Sequence, residues 1–389
     1  MNSKINNFLT AIGVIGLFSA LNIALIVNPV LGYVSEWYPN LSYNTITLLS
    51  TFGSLVMIPA TIISGKLAGT KCSYRALGFW GCMMIAIAGA VPYICHNFVI
   101  VLLTRCLVGI GTGLLQPLGN VACLAFFDKK NAATVQGIGN FWANISGLGF
   151  QTFSLLLVVK GVQYIWLIHL LMIIPAVLML LFLKEPHNLT AQETQNGMPN
   201  EVKPSKEVYI FCLIIGVFFM CTFPVLLNIS AIVLNENIGD NITISMINAM
   251  YTVGGMCAGL SYGKMVHKFD DNIVLISIAA WLGGQLICSF AANAVLMMAG
   301  FFMLGMGVFY MLPGAIQYFA NNYDSRALAQ SSGILNACFT LGGFLTTSYC
   351  AAVSMLIPAA SFRTPIRLGF IIMAILAVYI IVKIRKKAE

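Results

Sequence analysis

One charged residue, Arg105, lies well inside an apolar stretch of this sequence, between Phe98 and Leu124. An ionisable group is expensive to hold in such a segment, so it marks a place of function: an anion bound, a proton step tuned, or backbone carbonyls held together. The carboxylates are distributed the opposite way. All twelve (Glu36, Asp128, Glu185, Glu193, Glu201, Glu207, Glu236, Asp240, Asp270, Asp271, Asp324 and Glu389) fall in polar stretches, at the ends of apolar runs or at the terminus. A buried carboxylate that loads and unloads a proton is therefore not expected. His169 and Glu36 are the remaining titratable candidates, and a lone histidine in an apolar run reads first as a packed side chain.

Amides supply the second kind of chemistry. Asn140, Asn144, Gly147 and Gln151 follow one another at spacings of four, three and four, which places them on one face of a helix. Polar amides turned to lipid are costly, so this stripe is expected to face protein or a water-filled pathway. Other polar groups in apolar runs are Asn22, Asn28, Gln116, Asn120, Asn228, Asn248, Tyr251, Tyr310 and Gln317, each a candidate for packing or for contact with a solute. No phosphate-binding loop, H-E-x-x-H pair or C-x-x-C spacing occurs, so neither a metal site, a cofactor nor nucleotide-driven work is indicated. No nucleophile converges with an acid–base pair either, and an enzyme is not expected.

The elements that position these groups follow from composition. Of 389 residues 59% are hydrophobic and 8% charged, against about 25% charged in soluble domains. Lipid must solvate most of such a surface. Runs of spanning length occur at 8–31, 44–67, 75–95, 98–124, 132–159, 164–183, 208–234, 243–265, 273–292, 294–319, 328–357 and 366–384. They predict an all-α integral membrane protein with twelve transmembrane helices. The polar, proline-containing stretch 184–207 reads as a cytoplasmic linker between an N-terminal six-helix bundle, 1–183, and a C-terminal one, 208–389. With the N-terminus inside, sixteen basic residues fall on the inner side and three (Lys160, Arg363 and Arg367) on the outer, which places both termini in the cytoplasm. The net charge of +8 thus reports topology, not a nucleic-acid partner. The eleven cysteines lie mostly within apolar runs and read as small packing residues.

A shift of 196 residues superposes Gly109 on Gly305, Gly111 on Gly307, Pro117 on Pro313, Asp128 on Asp324, Ala133 on Ala329, Gly137 on Gly333, Ile138 on Ile334, Asn140 on Asn336 and Gly147 on Gly343. Nine identities in 43 positions mark an internal repeat, concentrated in residues that govern backbone approach. Under the same shift Thr340 and Thr347 match Asn144 and Gln151, whereas Phe301 faces Arg105. Parallel six-helix repeats are a plan of membrane carriers, with the solute held near the midplane.

At these residues the chain resembles the major facilitator superfamily over its whole length. Arg105-x-x-x-Gly109-x-Gly111-x-Gly113 with Pro117 is similar to that family's fourth-helix motif. Gly65-Lys66-Leu67-Ala68-Gly69-Thr70-Lys71 is similar to its cytoplasmic loop signature, with an equivalent at Gly263-Lys264. Gly69 stands where the family usually has an aspartate, and Thr70 where a basic residue is usual. The resemblance implies two pseudo-symmetric bundles that rock between access states. The expected solute is small and either polar or anionic, moved by uniport or exchange. The expected setting is a monomer in the inner or plasma membrane. An efflux carrier for amphipathic compounds, or a sensor without transport, is the alternative.

Overall fold

The computed structural model describes residues 2–30, 33–34, 36–41, 43–46, 48–158, 160–183, 203–324, 327–357 and 361–388. The longer α-helices are α1 (Asn2–Ser19), α2 (Leu48–Leu67), α3 (Tyr74–Ala90), α4 (Phe98–Phe126), α5 (Lys129–Val158), α6 (Ile173–Phe182), α7 (Lys206–Asn235), α8 (Asn241–Phe269), α9 (Ile273–Phe290), α10 (Ala294–Asn322), α11 (Leu328–Leu356) and α12 (Thr364–Ala388), with a single helical turn at Tyr43–Ile46. Among the described residues no strand forms; an isolated bridge joins Ala68 to Cys72. Among the described residues nine stretches are long and apolar enough to cross a membrane, one of which, Met246–Phe290, runs through both α8 and α9. Phe8–Ser19 and Phe52–Leu67 are shorter apolar helices. The chain is thus an all-α, multi-pass membrane protein. By Cα proximity it falls into two compact units, Met1–Lys203 with Arg326–Ala337, and Pro204–Ser325 with Cys338–Glu389. Most of the linker reading, 184–202, lies outside the described residues.

Two runs that read as continuous helices are broken. The first span stops at Ser19 and resumes as a 3₁₀ segment, Ile23–Val30. Side chains at the break are tied to α5: Trp142 Nε1 donates to Ser19 Oγ over 2.7 Å, and Asn22 Nδ2 donates to the Ala143 carbonyl over 2.8 Å. The sixth span opens with eleven residues of 3₁₀ helix, Val162–Met172, before α6. Pro175 has no N–H to give the Leu171 carbonyl, and the Ile173 N–H serves Leu170 and Leu171 instead, which keeps the preceding turns tight.

The internal repeat is a repeat of contacts. α4 packs on α2 and α3, and α10 packs on α8 and α9. A Cβ on Gly109 would lie 2.2 Å from the Gly53 carbonyl oxygen in α2, and one on Gly305 would lie 2.0 Å from the Tyr251 carbonyl oxygen in α8. Gly111 and Gly307 meet α3 and α9 in the same way. Without a hydrophobic force between helices in lipid, such close approach is what gives them a packed interface.

The turn between α2 and α3 also has a local explanation. Gly69 takes φ +70, a conformation side chains resist, and a Cβ there would come within 2.9 Å of the Tyr74 hydroxyl. Thr70 Oγ1 donates to the Lys66 carbonyl at 2.7 Å, and Ser73 caps α3 by accepting from the Ala76 N–H at 3.1 Å. The loop therefore closes without the aspartate found elsewhere in the resembling family.

In the second unit, buried polar side chains bind α7, α9 and α12. Trp281 Nε1 donates to Thr222 Oγ1 at 2.6 Å, and Gln285 Nε2 donates to the carbonyls of Cys221 and Ile366 at 3.0 and 3.2 Å. Gly109→Ala and Gly305→Ala are each expected to destabilise the protein by about 1–3 kcal/mol through overpacking. Their effects are expected to add, because the two sites share no neighbours. Unfolding in mixed micelles measures this, and an unchanged midpoint in either variant contradicts the close-approach assignment.

Candidate functional site

The α5 stripe is turned inward. Asn140 and Asn144 are buried, while Ile138, Trp142, Ile145 and Leu156 on the other side of the helix are exposed. This inversion of the soluble pattern suits a helix whose outer face meets lipid. Each amide returns its N–H to its own backbone: Asn140 Nδ2 donates to the Gln136 carbonyl and Asn144 Nδ2 to the Asn140 carbonyl, both at 2.9 Å. A carbonyl can only accept, so the amide nitrogen must face it and the amide oxygen is directed away. The repeat does the same. Asn336, buried on α11, donates to the Ser332 carbonyl at 2.9 Å. Thr347, the counterpart of Gln151, is exposed instead, and Gln151 Nε2 donates to the Gly147 carbonyl at 3.3 Å.

Next to this stripe, fully buried Gln136 donates through Nε2 to Asn120 Oδ1 at 3.0 Å, joining α5 to α4. Its Oε1 and that of Gln116 are buried without a protein partner. Gln136 was not singled out in the sequence, although its place four residues before Asn140 extends the stripe by one turn. Asn22 reaches the stripe from the turn after α1, and a Cβ on Gly147 would lie 2.7 Å from the Asn22 Cβ. The Asn28 side chain lies outside the described residues.

Arg105 stands apart from the amides. It is eleven residues before Gln116 on α4, or about 16 Å at helical rise. The side chain is 3% exposed; Nε donates to the Leu49 carbonyl at 3.0 Å, and Nη1 lies 3.2 Å from His169 Nε2. These contacts link α4 to α2 and to the 3₁₀ segment before α6. His169, read from sequence as a packed side chain, is fully buried and is also a partner of Arg105. Phe301 occupies the equivalent place in α10, fully buried.

The remaining candidates are dispersed. Asn228 is half-buried on α7; Tyr251 is half-buried on α8, its ring edge-on to Phe309 at 5.9 Å. Tyr310 is buried with its hydroxyl against that of Ser261. Asn248 Nδ2 donates to the Ile244 carbonyl at 3.2 Å, and Gln317 Nε2 to Asn321 Oδ1 at 3.3 Å. Gly65 lies against the start of α11 within the first unit, where a Cβ would be 2.6 Å from the Ala329 carbonyl oxygen and 3.0 Å from the Gly333 Cα. Lys66 and Lys264 are exposed, and Gly263 is buried. Among the described residues no cluster of histidine, cysteine or carboxylate side chains forms a metal site.

Two clusters at helix ends in the second unit were not foreseen. Arg363, 4% exposed, pairs with Glu236 at 2.7 Å and donates to the carbonyls of Cys288 and Ala291 at 3.0 and 2.6 Å. It ties the end of α7 and the end of α9 to the start of α12. Glu207 accepts from Tyr323 at 2.9 Å and from Lys383 at 2.7 Å. Burial, then the Glu207 contact, pushes the Tyr323 phenol well above its ordinary range. In sequence these residues read only as loop charges or span ends.

The comparisons agree with this architecture. The model of the Major Facilitator Superfamily matches residues 5–231, and the chain belongs to that family. No curated protein sequence matches it. Among solved structures it is similar to the proton:xylose symporter XylE bound to 6-bromo-6-deoxy-D-glucose, at 14% identity and TM-score 0.67, covering 97% of this chain and 96% of that one. It is similar to the transporter FucP in the outward conformation, at 13% identity and TM-score 0.65, covering 96% and 98%. It is also similar to the human organic anion transporter MFSD10, at 12% identity and TM-score 0.70, covering 94% and 98%. The chain is a secondary transporter of this fold, a class whose members bind small solutes within the membrane.

Arg363→Ala leaves Glu236 facing an emptied site and strands two carbonyls. Removing one partner of a buried pair costs about 3–5 kcal/mol. Because Glu236 is 41% exposed, the expected loss here is nearer about 2 kcal/mol. Unfolding of the purified variant checks this; a wild-type midpoint contradicts the role.

Proposed function

We propose that the chain moves a small polar or anionic organic solute by alternating access, as a uniporter or exchanger and not as a proton symporter built on a membrane carboxylate. The observation that carries this reading is the paired asparagines, Asn140 and Asn336, buried at equivalent places of the repeat and each donating to its own helix at 2.9 Å. At Asn140 this arrangement turns the amide oxygen away from the helix's own carbonyl and toward hydrogen-bond donors, while Arg105 supplies positive charge on the same α4 that carries Gln116 and Asn120. Among the described residues no carboxylate is buried, which speaks for transport without a carboxylate that carries protons. The structural neighbours include a sugar symporter and an organic anion transporter, so the fold itself accommodates both kinds of solute. The reading includes a monomer in the inner or plasma membrane, with both termini cytoplasmic and 184–207 as a cytoplasmic linker. It involves neither enzymatic chemistry, a cofactor nor nucleic acid.

A thermal-shift panel of succinate, benzoate, xylose, uridine and rhodamine 6G tests the solute class. A ligand at a hundred times its Kd stabilises by about 2.7 kcal/mol, a shift large enough to read. The anions are expected to stabilise the wild type, and Arg105→Ala is expected to remove the effect. Stabilisation that survives in Arg105→Ala contradicts a solute role for this arginine, and stabilisation by the dye alone favours efflux of amphipathic compounds. In proteoliposomes, flux of the stabilising solute is expected to continue when the pH gradient is collapsed. Accumulation that depends on that gradient, and persists when Glu36 and His169 are changed, contradicts the account of coupling.

A further inference from the structure

The partner of Arg105 has a chemical state that its surroundings define. His169 is fully buried, with Nδ1 3.0 Å from the Trp166 carbonyl oxygen and Nε2 3.2 Å from Arg105 Nη1. A carbonyl oxygen can only accept, so Nδ1 carries a proton. A guanidinium can only donate, so Nε2 offers its lone pair. Both contacts are satisfied together only by the neutral imidazole protonated at Nδ1.

The ring is held in that orientation. It stacks on Trp166 with an interplanar angle of 11° and centroids 6.2 Å apart. On α3, Gly89 lies against the ring, where a Cβ would fall 2.2 Å from the ring Cγ. Any larger residue at Gly89 displaces the imidazole from Arg105. On α4, the Arg105 Nε is fixed by the Leu49 carbonyl at 3.0 Å. The contacts of the guanidinium thus include a backbone carbonyl and an imidazole that is itself seated by Trp166 and Gly89. The carboxylates described in this unit, Glu36 and Asp128, are both exposed.

We propose that His169 is a positioning residue: a neutral acceptor that orients the Arg105 guanidinium while leaving its charge in place to attract an anionic solute. The proposal rests on the anionic reading above and deepens it by assigning the group that presents the cation. A carboxylate in the same place would hold the guanidinium as firmly and cancel its charge, which separates an electrostatic role from a merely structural one.

Two measurements on the full-length protein in micelles test this. In the first, protein with ¹⁵N-labelled histidine is examined near neutral pH, the His169 signals being assigned by their loss in His169→Gln. A pyrrole-type Nδ1 and a pyridine-type Nε2 are expected. A protonated Nε2 overturns the assignment, and so does a spectrum left unchanged by Arg105→Ala. In the second, stabilisation by succinate and benzoate is titrated in three variants. His169→Gln, which restores an acceptor, is expected to keep apparent affinity near that of wild type. His169→Leu is expected to weaken it roughly tenfold or more, the loss of a charge-assisted hydrogen bond. His169→Glu is expected to abolish it while unfolding no earlier than His169→Leu. Anion affinity in His169→Glu equal to that in His169→Gln overturns the electrostatic role. If neither anion stabilises the wild type, the anionic reading and the electrostatic role both fall. The nitrogen shifts then decide by themselves whether His169 positions Arg105.

Discussion

In hydrocarbon there is no water to complete a hydrogen bond, so backbone groups in a spanning segment must find their partners within the chain, and polar side chains gain from doing the same. That constraint organises this protein. Asn140, Asn144, Asn248 and Asn336 all return an amide N–H to the carbonyl four residues back. Gln285 bridges carbonyls on two neighbouring helices, and Arg105 reaches a carbonyl and an imidazole across three elements. What distinguishes the asparagines is that local satisfaction uses only half of the amide.

Helix association obeys the same constraint. Lipid tails are as apolar as leucine, and only close contact gives helices a reason to stay together. The repeated glycines of α4 and α10 supply it, each admitting a neighbouring backbone where a single methyl group would collide. This accounts for the identities that persist across the 196-residue shift while most side chains have diverged. Backbone geometry is shared by the two repeats, whereas the polar chemistry is not: Arg105 is matched by Phe301 and Gly89 by Gln285.

Much of the fold was legible in the sequence because its determinants are local or periodic. Twelve apolar runs, one polar interval and nine matched residues are enough to predict the helices and the repeat. The inward face of α5 followed from the spacing of its amides and the cost of turning them to lipid. Interactions that depend on which distant helix lies opposite were not legible. His169 is 64 residues from Arg105, and nothing in an isolated histidine reveals that its Nε2 meets a guanidinium. Arg363 looked like a loop cation because its four-point docking onto α7 and α9 exists only in three dimensions. The 3₁₀ opening of the sixth span was missed for a different reason. Hydropathy reports where a helix is apolar, not how tightly it is wound.

The central claim is that the equivalent asparagines of α5 and α11 face a pathway that water and solute enter. Cysteine placed singly at 140 or 336, in a background without the native cysteines, and challenged with a water-soluble methanethiosulfonate measures this most directly. Reaction at both positions, slowed by the solute that stabilises the protein, is the predicted result. Modification only by lipid-soluble reagents, at a rate indifferent to every solute tested, contradicts it.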